Sequence, residues 1–163
     1  MTFEEFVQEH QAQLLRFATV LCADRSLAED VVQEVLIRVH NRWDVLRGYE
    51  RPEAYVRKMI VNEHLSWRRK WSRQVPAAEV RPPGEIPDHA AGHADRQALI
   101  AELARLPARQ RTALALRYYC DLADPAIAEV MGCRPSAARA YIARGLAALR
   151  VANAAGLTLI LED

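Results

Sequence analysis

The amino-acid sequence predicts an all-α fold, two small helical domains joined by a flexible linker. Three observations predict it. Apolar residues recur at helical spacing in both halves of the chain, and no segment alternates apolar with polar residues between hairpin turns. Between Val75 and Asp95 the periodicity breaks into Pro76, Pro82, Pro83, Gly84, Pro87 and Gly92, with few large apolar side chains. With 163 residues, 51% of them hydrophobic, the chain has apolar material for two packed cores. The expected boundaries are a first domain over 1–74, a linker over 75–95, a second domain over 96–151 and an apolar tail over 152–163.

In the first domain, Thr2 followed by Glu5 has the form of a capping box. Phe3, Phe6, Val7, Leu14, Phe17, Ala18 and Leu21 then mark one helix. Ser26 and Glu29 repeat the cap signature, and Leu27, Val31, Val32, Val35, Leu36 and Val39 form the stripe of a second helix. A loop through Trp43, Gly48 and Tyr49 ends at Pro52, a good first helical residue. Tyr55, Val56, Met59, Ile60 and Trp67 continue a third helix. In the second domain Leu99, Leu103 and Leu106 open a helical unit, and Pro107 starts a helix bearing Leu114, Leu116, Tyr118 and Tyr119. Asp124 is placed to cap a helix with Pro125 at its first position and Gly132 at its end. Pro135 then opens another, with Ala138, Ile142, Leu146 and Leu149 inward. Two short helices joined by a glycine-containing turn form a helix-turn-helix, whose second helix enters the major groove of DNA.

Charge is unevenly distributed although the net value is only +1. Residues 1–37 set two arginines against seven carboxylates, for −5, whereas residues 38–74 set ten cations against four carboxylates, for +6. Concentrated basic charge suits a phosphate-binding surface. No apolar run of about eighteen residues exists, and Glu4, Glu5 and Glu9 stand where a secretory signal needs cations, so a soluble, intracellular protein is expected. Cys22, Cys120 and Cys133 lack disulfide-framework or zinc spacing and read as reduced packing residues. His89 and His93 lie in the linker without other ligand types nearby. With no glycine-rich phosphate loop, GxSxG or HExxH, neither a cofactor nor an intrinsic active site is expected.

Three surfaces could carry function. On the third helix Arg57, Lys58, Asn62, Arg68, Arg69 and Lys70 are interleaved with Trp67 and Trp71. Cations track phosphates, aromatics stack on unpaired bases and an amide reads a base edge. Core packing is the competing role for the tryptophans, and at least one of them is expected inside. Ser136, Ala137, Arg139, Ala140 and Arg144 offer donors and small side chains to DNA, or form an ordinary solvated face. Asp30, Gln33 and Glu34 have the wrong sign for DNA and mark either a protein-binding face or a plain solvated one.

These residues resemble an extracytoplasmic-function sigma factor of the sigma-70 superfamily, in its minimal form with a sigma-2 and a sigma-4 domain. The segment Ala28-Glu29-Asp30-Val31-Val32-Gln33-Glu34-Val35-Leu36 is similar to the family's core-binding signature. Leu106-Pro107-Ala108-Arg109-Gln110-Arg111 through Leu116-Arg117-Tyr118 is similar to the opening of its sigma-4 domain. Ile127-Ala128, Met131-Gly132-Cys133, Arg144-Gly145-Leu146 and Leu149-Arg150 are similar to that domain's helix-turn-helix.

The resemblance implies a non-enzymatic, cytoplasmic subunit directing promoter-specific transcription initiation in bacteria. Its partners would be core RNA polymerase, through the beta-prime clamp helices and the beta flap, and promoter DNA; an anti-sigma factor is a further partner common in the family. Asp30, Gln33 and Glu34 would contact the clamp helices. Asn62 would hold a base flipped from the minus-ten element, with Arg57, Lys58, Trp67, Arg68, Arg69 and Lys70 around the melting duplex. Arg134, Ser136, Ala137, Arg139, Ala140, Tyr141 and Arg144 would read the minus-thirty-five element. The run Arg134-Pro135-Ser136-Ala137-Ala138-Arg139-Ala140 departs from the Thr-Val-Lys-Ser-like residues of relatives, so the family pattern supplies no minus-thirty-five sequence. A stand-alone helix-turn-helix regulator is the competing reading, as is a degenerate interaction module; the acidic second helix beside a basic third helix argues against the first, and the basic row with Asn62 against the second.

Overall fold

The structure is a computed structural model, described for residues 1–74 and 101–149, with the side chains of residues 72–74 set aside. The chain divides into two units, Met1–Gly84 and Glu85–Asp163. All regular structure among the described residues is helical. The expected linker with His89 and His93, the start of the second unit at Leu99 and the tail after Arg150 lie outside the described residues.

Unit 1 contains α1 (Phe3–Cys22), α2 (Arg25–Asn41), α3 (Trp43–Leu46) and α4 (Pro52–Gln74). The capping box at Thr2 is formed: its hydroxyl accepts the Glu5 N–H at 3.2 Å, while the Glu5 carboxylate accepts the Thr2 N–H at 2.7 Å. Helix α1 ends at Ala23, whose φ of 54° places it in the left-handed region. That turn moves the start of α2. Asp24, not Ser26, is the cap, its carboxylate accepting the Leu27 N–H at 3.0 Å, and Glu29 pairs with Arg25 instead of closing a box.

The core joins Phe6, Leu14, Phe17 and Leu21 of α1, Ala28, Val31, Val35 and Val39 of α2, and Val56, Ile60 and Val61 of α4. Each such Phe, Leu, Ile or Val side chain contributes about 1.5–3 kcal/mol when fully buried. Trp43, expected in a loop, instead begins the four-residue α3 and is nearly buried, with ring centroids 4.9 Å from Phe6 and 5.9 Å from Phe3. Its indole N–H donates to the Met1 carbonyl at 3.3 Å, so the α2–α3 corner is closed by the segment ahead of α1.

Unit 2 contains α5, helical over 101–105, then α6 (Ala108–Tyr118), α7 (Asp124–Met131) and α8 (Pro135–Leu149). Buried Arg111 donates to the carbonyls of Leu106 at 2.9 Å and Ala104 at 3.3 Å. A cation on α6 thus satisfies the end of α5, where helical carbonyls lack partners. Asp124 does not cap α7. Ala123 occupies the cap position, and the Asp124 carboxylate accepts from the Arg117 guanidinium of α6, fastening the two helices. Gly132 has φ 64° and ends α7, as expected, with the Cys133 N–H reaching back to the Ala128 carbonyl at 2.9 Å. On α8 the inward row is Ala138, Ile142, Gly145 and Leu149; Leu146, expected there too, is half-buried.

Gly145 permits the close approach of α8 to α6, because a Cβ there would lie 2.7 Å from Leu114 Cδ1 and 3.2 Å from Leu114 Cγ. Leu114 is itself 1% exposed and has little room to yield. Gly145→Val should therefore destabilise unit 2 by about 1–3 kcal/mol through overpacking. Calorimetry of the whole chain should show an earlier unfolding transition for unit 2 and an unmoved one for unit 1.

Candidate protein and nucleic-acid interfaces

Helix α2 turns its valine stripe inward, which forces Glu29, Asp30, Gln33 and Glu34 outward, and all four are exposed. The structure therefore brings Asp30, Gln33 and Glu34 onto one accessible face. Ile37, three residues after Glu34 and four after Gln33, stands on the same face and is 59% exposed. An apolar residue amid exposed polar ones has the arrangement of an interface anchor with a polar rim. Reading the sequence for carboxylates missed it; its offset from the valine stripe was the available signal.

Arg38 ties this face to α4. One guanidinium nitrogen lies 3.1 Å from Glu34 Oε1 and the other 2.7 Å from Glu63 Oε2. Hydrogen bonding to Glu63 first, and to Glu34 second, holds the Arg38 pKa above its ordinary value. Glu63 is buried, a position that a carboxylate tolerates when it is paired. Nothing in local sequence pattern links residues 38 and 63.

On α4, Val56, Ile60, Val61, Glu63 and His64 face inward, while Lys58 and Asn62, one turn apart, are exposed and Arg57 is half-buried. His64 Nδ1 lies 3.4 Å from Cys22 Sγ, placing that cysteine in the core as a packing residue. From Trp67 to Trp71 every residue is exposed, the tryptophans at 37% and 51%. Five consecutive exposed positions circle the whole helix, so α4 runs on past the bundle. The expectation that at least one of these tryptophans packs in the core is thereby overturned. Arg68, Arg69 and Lys70 share this exposed end, so cations and large aromatic faces occur together where an unpaired strand could thread.

In unit 2, Arg134, Ser136, Arg139 and Arg144 are exposed and Ala137, Ala140 and Tyr141 are half-buried. Helix α8 contains no carboxylate, and its outer surface is short-chained between the arginines, which lets a backbone come close to a groove floor. The Tyr141 hydroxyl accepts from Arg109 of α6 at 3.4 Å. That contact links α8 to α6 at the surface and was not evident in sequence. The arrangement can bind and discriminate; among the described residues no cluster of His, Cys, Asp and Glu could hold a metal, and no helix is long and apolar enough to cross a membrane.

Comparison with known proteins bears on both units. The Sigma-70 region 2 family matches residues 6–74 and the Sigma-70, region 4 family matches residues 96–149. The RNA polymerase sigma-E factor of Streptomyces avermitilis is 31% identical over 150 residues, covering 92% of this chain and 84% of that one. The ECF RNA polymerase sigma factor SigL of Mycobacterium tuberculosis is 30% identical over 148 residues, covering 88% and 84%. Among solved structures, the sigma factor RpoE in complex with the anti-sigma factor NepR from Bartonella quintana superimposes with a TM-score of 0.65 at 26% identity, covering 91% of this chain and 96% of that one.

The three tryptophans offer a direct check of the bare end of α4. Trp43→Ala should cost about 3–5 kcal/mol, as a buried aromatic does, whereas Trp71→Ala should stay within about 1 kcal/mol. Urea unfolding of the two variants measures the contrast.

Proposed function

Since this chain belongs to the sigma-70 family, as an RNA polymerase sigma factor of the minimal extracytoplasmic-function type, we propose that it directs promoter-specific initiation through three separate surfaces. The observation that carries this reading is the segregation within unit 1 of an exposed carboxylate face on α2 from a protruding, basic and aromatic end on α4. Asp30, Gln33 and Glu34, with Ile37 one turn beyond them on the same face, dock on a basic helical surface of core polymerase. Opposite charge steers the encounter, and the apolar anchor holds it.

Asn62 holds a base unstacked from the minus-ten element. Flipping that base costs a few kcal/mol, offset by stacking and by hydrogen bonds to its edge. Arg57, Lys58, Arg68, Arg69 and Lys70 neutralise the phosphates of the melting duplex, and Trp67 gives an unpaired base a surface to lie on. In unit 2, α8 enters the major groove at the minus-thirty-five element. Arg134, Arg139 and Arg144 meet phosphates or guanine edges, Ser136 donates, and Ala137, Ala140 and Tyr141 set the distance of approach. Residues 1–74 thus serve polymerase and the minus-ten element, and residues 96–151 the minus-thirty-five element. Each unit alone offers a small interface, and affinity arises from presenting both on one polymerase. The protein acts in the cytoplasm and carries no catalytic chemistry of its own.

Run-off transcription with purified core polymerase on a promoter library tests the reading. Transcripts from templates sharing two spaced motifs support it, and absence of polymerase binding would favour a stand-alone DNA-binding regulator. Asp30→Ala with Glu34→Ala should weaken polymerase binding about tenfold or more, with an unchanged melting temperature, since both side chains are exposed. Asn62→Ala should instead leave polymerase affinity intact and slow promoter opening, scored by permanganate reactivity of unpaired thymines.

A further inference from the structure

We propose that Arg38 is a positioning residue for promoter opening, a guanidinium that sets the register of α4 on α2 and so the presentation of Asn62, while touching neither polymerase nor DNA. This rests on the assignment of α2 to polymerase and of Asn62 to the promoter.

The geometry has two parts. Glu63 follows Asn62 directly in α4; its side chain is 10% exposed and its carboxylate lies 2.7 Å from Arg38, while Asn62 is exposed. On the inward face of α4 there, Val56, Ile60 and Val61 make non-directional apolar contacts and His64 meets Cys22 of α1 at 3.4 Å. A charge-assisted hydrogen bond has direction and length, so Arg38–Glu63 fixes α4 against α2 next to the residue whose placement matters.

The second part is that Arg38 is shared. Its other nitrogen lies 3.1 Å from Glu34, a residue of the docking face that is 51% exposed at its side chain. A cationic partner surface that engages Glu34 competes with Arg38 for that carboxylate and leaves the guanidinium to Glu63. Docking on α2 therefore reaches α4 through one charged group, and by linkage the coupling runs both ways.

The test separates polymerase affinity from the rate of opening. Core-polymerase affinity is measured by competition binding with the full-length protein, and the rate constant of open-complex formation is measured at saturating holoenzyme. Arg38→Met, which keeps the stem and removes the charge, should lower the opening rate constant about ten- to hundredfold, the effect of a small misplacement at a working site, while polymerase affinity does not fall, since Glu34 loses only a competitor for its carboxylate. Glu63→Gln, nearly isosteric, should show the same split and serves if Arg38→Met folds poorly. Arg38→Lys should recover part of the rate. Glu34→Ala should give the opposite split, weaker affinity with wild-type opening. Wild-type opening by Arg38→Met or Glu63→Gln would overturn the proposal, as would loss of affinity and opening in equal proportion, the mark of a merely reduced active fraction. Failure of the wild-type protein to bind polymerase would instead remove the functional reading on which the proposal stands.

Discussion

Unit 1 is organised around the buried valine stripe of α2. Val31, Val35 and Val39 are fully enclosed, between α1 on one side and α4 on the other. A helix held so firmly along one stripe has no freedom in what it shows to solvent: Asp30, Gln33, Glu34 and Ile37 face outward because the valines face inward. The same packing seats α4, whose buried positions end at His64, so from Trp67 the helix extends into water. One hydrophobic constraint thereby yields two working surfaces of opposite character. Neither needs a loop to shape it, and surfaces built on helices keep their geometry when loops change.

Unit 2 solves a related problem with less material. Helix α8 carries inward and outward residues in alternation, with Ala138, Ile142, Gly145 and Leu149 inward and the arginines outward. Polar contacts across the unit's helices include Arg117 with Asp124 of α7, Arg111 with the end of α5, and Arg109 with Tyr141 of α8. Three of the unit's arginines thus make contacts within the unit itself. A basic composition by itself would overstate how much of the charge is available to DNA.

Much of this was legible in the chain because helical periodicity and caps are local. The Thr2 box, the Pro52 and Pro135 starts and the Gly132 stop all form. The misses have identifiable physical origins. Asp24 and Ser26 are both good caps, and the choice between them is made by the left-handed turn at Ala23, which no local preference announces. Asp124 has the chemistry of a cap but is claimed by Arg117. Trp43 reads as a loop residue until Phe3, Phe6 and the Met1 carbonyl come to it from the far end of the unit. Periodicity places Trp67 and Trp71 on a helix and is silent on where the neighbouring helices stop. For the candidate site, exposure of the acidic triad followed from the stripe, whereas Arg38–Glu63 is a pairing across 25 positions that only the fold reveals.

The chain has three tryptophans, and the fold divides them into one interior ring and two in water at the tip of α4. Trp43 emits from an apolar surrounding whose integrity reports that unit 1 is folded. Trp67 and Trp71 emit from a polar one that changes when anything lies against the helix end. The protein therefore carries its own two-colour optical label, the blue component tracking structure and the red component tracking occupancy. Collisional quenchers in solvent reach only the second.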